Sequence, residues 1–201
     1  MIIDTIEQLR NIYVPPKKRA IRKQLSMLDI HCRNFIGLSP FVVVASASPS
    51  LTMDASPRGG PPGFVKTLDE RTLLIPDAPG NNRLDTLDNI IGTGKVGLLF
   101  MIPGVDETLR VNGDARLSCA AEHLGLFTGE KRQPKLVIAV NVAEAYLHCA
   151  KALLRSALWH PSSQVDRSAL PTAGQMISEQ TGIIVPPETR EEMQARYAPD
   201  L

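Results

Sequence analysis

From Pro40 onward the chain alternates short apolar or β-branched runs with Gly, Pro, Asn and Asp, the pattern of strands joined by shaped turns. Such runs occupy 41–46, 64–68, 71–75, 96–102, 108–118 and 136–142. Only a short helix at 84–91 separates them before Val96, and a second falls near 120–126. Strands this closely spaced predict an antiparallel barrel or sandwich, not a βαβ repeat. The first forty residues read as helical. Asp4 is placed to cap a helix running through Asn11, and Pro15-Pro16 stops it. In the next segment Ile21, Leu25, Leu28, Cys32 and Phe35 recur at helical spacing and share one face. After the strands the spacing predicts a helix over 143–158, a Ser/Pro-rich link, and helical pieces at 173–180 and 188–196. The expected organisation is a helical extension (1–39), a β domain with a closing helix (40–160) and a helical tail (161–201).

Composition narrows the function. Lys and Arg number 22 against 21 Asp and Glu, so the net charge is +1 and no overall basic field exists to hold nucleic acid or an anionic membrane. Lys17, Lys18, Arg19, Arg22 and Lys23 cluster, but without interleaved aromatics they read as a solvated face. Any anion must be held by a local site. Cys32, Cys119 and Cys149 are odd in number and lack CxxC spacing, which points to a reducing cytoplasm. The N-terminus lacks the apolar core of a signal peptide, and no apolar run is long enough to span a bilayer. His31, His123, His148 and His160 are scattered, so no metal site is expected.

Four segments carry candidate chemistry. Residues 54–64, Asp-Ala-Ser-Pro-Arg-Gly-Gly-Pro-Pro-Gly-Phe, read as a long stiff loop in which Ser56 and Arg58 can clamp a phosphate, or simply as a rigid surface loop. Residues 77–83 lead into a helix that Asn81 or Asn82 can cap. Arg83 in its first turn opposes the helix dipole unless an anion sits between them. In 107–113, Arg110 points away from the apolar face of Leu109 and Val111, and Asn112-Gly113 is either a tight turn or a glycine bulge within one longer strand. In 147–159, Leu147, Ala150, Leu154 and Leu158 form an apolar stripe. Lys151 and Arg155, four apart, repel unless an acid or anion covers them, and Trp159 is an anchor or a ligand platform.

At these residues the sequence resembles the pyridoxamine 5′-phosphate oxidase-like flavoproteins, and within them a bacterial subgroup of FMN-dependent enzymes. The resemblance rests on SPRGGPPGFV at 56–65, PDAPGNNRLD at 76–85, GLLFMIPG at 97–104, TLRVNG at 108–113 and HCAKALLRSALW at 148–159. It implies a mainly β fold with peripheral helices, a six-stranded antiparallel split β-barrel of the FMN-binding type. It also implies a homodimer with one FMN in each of two interface clefts. Ser56, Arg58, Asn82 and Arg83 would meet the phosphate and ribityl chain, with Arg110 on the strand beside them. The helix with Lys151, Arg155 and Trp159 would close the site from one subunit or the other. The implied activity is electron or hydride transfer from a nicotinamide or other reductant to a small acceptor. A non-catalytic flavin-binding or flavin-storing protein is the alternative, and a haem or deazaflavin in the cleft a third reading. Three features depart from the family pattern. The tail lacks an Arg-x-His arrangement, Thr108 stands where the oxidases carry Gln, and 46–53 lacks a glycine turn. A vitamin B6 phosphate is therefore not the expected substrate.

Overall fold

The computed structural model describes residues 2–186 and 188–200. Its strands are β1 (Phe41–Ala47), β2 (Met53–Gly59), β3 (Lys66–Thr67), β4 (Thr72–Pro76), β5 (Lys95–Met101), β6 (Thr108–Ser118) and β7 (Val137–His148). All pair antiparallel in one sheet of order β2-β1-β5-β6-β7-β4-β3. The class is the one expected, with seven strands in place of six. The helices are α1 (Ile6–Ile12), α2 (Lys18–Arg22), α3 (Ile30–Leu38), α4 (Asp85–Thr93), α5 (Ala121–Gly125), α6 (Lys151–Ser156), α7 (Ala173–Thr181) and α8 (Arg190–Tyr197). Met1 and Leu201, the ends of the two expected extensions, lie outside the described residues.

The alternation of side chains along β1 sets the architecture. Val42, Val44 and Ser46 are buried, while Phe41, Val43 and Ala45 are half-buried on the other face. Register carries the buried row across the sheet: Val42 faces Phe100, which faces Leu109, and Val44 faces Leu98, which faces Val111. Cys32 and Ile36 of α3 and Leu87 and Ile90 of α4 pack onto that inner face. Each such aliphatic or aromatic side chain contributes about 1.5–3 kcal/mol when buried, so this face drives folding. On the outer face, Phe127 and Leu124 cover Leu74 and Val137 near β4. Across β1 and β5 the outer side chains Val43, Ala45, Leu99 and Met101 are left half-buried.

Four local expectations are corrected. The segment from Asp54 is not all loop, because Met53–Gly59 pairs in register with β1. The expected helix over 143–158 is mostly strand and turn. β7 continues to His148 because Ala145 pairs with both Val111 and Leu25, and tertiary pairing overrides the helix propensity of Ala, Glu and Leu. The helical stripe through Leu25 is likewise broken, since Leu25 and Ala145 exchange two backbone bonds of 2.9 Å. Finally, Thr5 rather than Asp4 caps α1, forming a reciprocal box with Gln8.

Asn112-Gly113 proves to be a bulge within β6–β7, not a turn: Asn112 faces Glu144 while Gly113 faces Val142. A Cβ on Gly113 would sit 2.2 Å from the Asn141 carbonyl oxygen, so no other residue fits without moving backbone. At the start of α3, the Asp29 carboxylate accepts from the Cys32 N–H at 2.8 Å, which holds its carboxyl below the ordinary value. Burial pushes the Cys32 thiol up to about 11.

Candidate functional site

Strand β2 is an edge strand, and its register with β1 decides which side chains enter the barrel. Asp54, Ser56 and Arg58 stand opposite Ser46, Val44 and Val42, hence on the inner face, where the open edge leaves them half-buried. Helix α4 packs across this edge and brings Thr86 and Asn89 to the same place. The result is a polar cluster around one carboxylate. Thr86 donates to Asp54 Oδ2 at 2.6 Å, Ser56 donates to Oδ1 and Oδ2 at 3.0 and 3.1 Å, and Ser46 approaches Oδ2 at 3.4 Å. Asn89 in turn donates to Ser46 Oγ at 3.0 Å. Sequence reasoning missed Asp54, Thr86, Asn89 and Ser46. The period-two pattern Asp54-Ser56-Arg58 was the available signal, hidden by the prolines and glycines around it.

The loop between β4 and α4 leads into the helix that carries Thr86 and Asn89. Burial pushes the Asp77 carboxyl up, against the pull of Arg58 and Lys135. Asn82 and Leu84 both adopt left-handed backbone, at φ 60° and 59°, a conformation that costs non-glycine residues about 1 kcal/mol or more. Leu84, not an asparagine, is the N-cap of α4, and it makes no side-chain cap. Asn81 instead accepts from the Arg83 N–H at 3.1 Å. Arg83 Nε bonds Asp85 at 2.9 Å on the exposed surface. Arg58 donates only to its neighbour, the Pro57 carbonyl, at 3.1 Å, which leaves most of its N–H groups for another acceptor.

The remaining candidates stand elsewhere in the chain. Arg110 lies on the outer sheet face, opposite Tyr146, with the sheet between it and Ser56. Lys151 and Arg155 are exposed on α6, where Arg155 Nε donates back to the Lys151 carbonyl at 3.0 Å. Trp159 is half-buried, its Nε1 donating to the Val105 carbonyl at 2.9 Å. That contact fixes α6 beside the turn between β5 and β6, at the sheet end where Thr108 faces His148. Asp54 pairs with Ser46 toward the opposite end. Within one chain, then, the Asp54 end of β2 meets Thr86 of α4, Arg58 stands opposite Val42 toward the other end of the strand, and the α6 group sits at the β5–β6 turn.

Arg83 precedes α4, whose first turn carries Asp85 and Asp88, and Arg58 lies further along β2; both guanidinium groups keep N–H donors for an anion. The fold is that of a split barrel. A family model for pyridoxamine 5′-phosphate oxidase matches residues 28–149, and the chain belongs to that family. The sequence matches none of the curated proteins. Among solved structures it is similar to HupZ from Group A Streptococcus, at 17 % identity and TM-score 0.50, over 60 % of this chain and 94 % of that one. It is also similar to a Lactobacillus delbrueckii protein assigned as a pyridoxamine 5′-phosphate oxidase (19 %, TM-score 0.49, 62 % of this chain and 98 % of that one). A third is the heme storage protein HutZ of Vibrio cholerae (8 %, TM-score 0.45, 60 % and 93 %). No described helix is long and apolar enough to cross a membrane.

Proposed function

We propose that this chain binds FMN and works as an FMN-dependent oxidoreductase, passing electrons from a nicotinamide or other reductant to a small organic acceptor or oxygen. The observation that carries this reading, together with the family match, is the meeting of β2 and α4, where Thr86 bonds Asp54, with Arg58 further along the strand and Arg83 just ahead of the helix. Arg58 and Arg83 hold the phosphate, Asn82 shapes the loop that presents Arg83, and Ser56 lies beside Arg58 on the same face of β2. Charge-assisted bonds of this kind contribute about 1.5–3 kcal/mol each, enough to favour FMN over riboflavin. When bound, the flavin supplies the hydride or electron chemistry, while the chain binds and orients it. Vitamin B6 phosphate is not the proposed substrate, since Thr108 and the tail depart from the oxidase pattern.

The half-buried outer face with Val43, Leu99 and Met101 supports a homodimer. In that assembly Arg110, Lys151, Arg155 and Trp159, which stand apart from Ser56 in their own chain, serve the cleft of the second subunit. Three free cysteines suit the reducing cytoplasm. The test is the absorbance of the purified protein, followed by anaerobic titration with reduced nicotinamides. A yellow protein bleached by NADH or NADPH and restored by an acceptor supports the enzyme. A yellow protein that no reductant bleaches supports flavin storage. A colourless protein that takes up no added FMN, or one that takes up haem instead, refutes the reading.

A further inference from the structure

We infer that Asp54 is a positioning residue that turns the Ser56 hydroxyl into a hydrogen-bond acceptor toward the cleft, so that Ser56 receives a ribityl hydroxyl of the flavin rather than donating to its phosphate. This rests on the flavin reading above. A serine hydroxyl has one proton and two acceptor lone pairs. The Ser56 proton is committed, because Oγ lies 3.0 and 3.1 Å from the two Asp54 oxygens, which have no proton to offer when ionised. The Thr86 proton is committed to the same carboxylate at 2.6 Å. Ser46 accepts from Asn89 at 3.0 Å, which directs its own proton to Asp54 Oδ2 at 3.4 Å. The network is closed, and no buried side-chain polar atom among the described residues lacks a partner.

What Ser56 has left for a ligand is its lone pairs, and these call for a donor. A phosphate dianion offers acceptors only, and it would also meet the Asp54 charge. The polyol of a ribityl chain offers hydroxyl donors and is uncharged. Phosphate recognition therefore falls to Arg58, further along β2, and to Arg83. The Asp54 cluster recognises the part of the ligand that FMN and riboflavin share.

The test is fluorescence titration of the full-length protein with FMN, riboflavin and lumiflavin, which keeps the ring but lacks the ribityl chain. Ser56→Ala is expected to weaken FMN and riboflavin alike, by about fivefold, the effect of one neutral hydrogen bond, and to leave lumiflavin unchanged. Ser56→Thr keeps the hydroxyl and restores binding. Asp54→Ala, which removes the acceptor that holds the Ser56 hydroxyl in place, is expected to lower the affinity for FMN and riboflavin together and leave lumiflavin unchanged, and unchanged affinity for all three overturns the positioning role of Asp54. Arg58→Ala is expected to weaken FMN alone. A Ser56→Ala loss confined to FMN, or one that extends equally to lumiflavin, or no loss at all, overturns the inference. Wild-type protein that binds none of the three flavins overturns the flavin reading itself and this inference with it. Thermal melts followed by circular dichroism confirm that each variant titrated is folded.

Discussion

Arg110 stands directly opposite Tyr146 in the β6–β7 ladder, its guanidinium carbon 5.4 Å from the ring centroid. Lys23 Nζ lies at the same distance from that ring. Contacts of this type contribute about 0.5–1 kcal/mol when exposed and about 2 kcal/mol when desolvated. They sit on the outer face in the same row as Leu99 and Val43. If that face joins two subunits, Val43→Glu should give a folded monomer, because the side chain points away from its own core. Arg155→Ala should weaken FMN binding and association together. Sedimentation over a dilution series, with and without FMN, checks both. A wild-type monomer with full flavin occupancy at every concentration would refute the shared site.

Arg83→Ala should lower FMN affinity by about tenfold or more, the effect of one charge-assisted bond, and leave riboflavin affinity unchanged. Its melting temperature should stay close to that of wild type. The Arg83 side chain is 75 % exposed and its ion pair with Asp85 is a surface pair of small effect. A fall in melting temperature with unchanged flavin affinity would make Arg83 structural.

Gly113→Ala tests the bulge. The new Cβ meets a backbone carbonyl rather than a flexible side chain, so the β6–β7 ladder must separate locally. We expect a loss of about 2–4 kcal/mol in urea unfolding, in the range of overpacked or strained positions. A change below about 0.5 kcal/mol, the ordinary surface effect, would mean that the bulge is easily remodelled.

The thiols should react in two classes. Cys119 and Cys149 are exposed, whereas Cys32 is buried with its thiol pushed up to about 11. Ellman's reagent at pH 8 should therefore label two groups quickly and the third only on unfolding. Rapid labelling of Cys32 in the native protein would show that α3 opens readily.

Asp29→Ala should destabilise the protein by about 1 kcal/mol through loss of the α3 cap. The sign with pH follows from the lowered carboxyl. Its contribution is complete above the ordinary aspartate value of 3.8 and is lost as pH falls through the lower folded value. The difference in stability between wild type and Asp29→Ala should thus be constant near neutrality and shrink only in acid. Paired urea titrations at pH 7 and in the acid range measure it.

Much of the sheet was legible because β-branched alternation survives in β1, β5 and β6, where both neighbours are strands and one face is buried. β2 was not, since Ser-Pro-Arg-Gly carries turn residues and its pairing partner alone makes it a strand. The second half of β7 failed for a different reason. Its bulge breaks the two-residue period, and Ala-Glu-Ala-Tyr-Leu has the propensity of a helix. Arg58 and Arg83 stood out as cations in odd places, a signal that local sequence can give. Asp54 and Thr86 carry no such mark, because what sets them apart is a meeting between a strand and a helix far along the chain.

The β4–β7 ladder joins Thr72 to Asn141, whereas β1–β2, β3–β4 and β5–β6 are each made by strands consecutive in the chain. Closing a longer loop costs more entropy, so the local hairpins should zip first and the long-range β1–β5 and β4–β7 seams after them. The segment carrying Arg83 joins the end of β4 to α4, which packs on β1 and β2, so it is anchored at both ends only when the β4–β7 seam has closed. A half-folded chain would thus show hairpins but no anion cleft. If the chain binds flavin as proposed, its capture in a refolding experiment should trail the appearance of sheet and report a late, long-range step of folding.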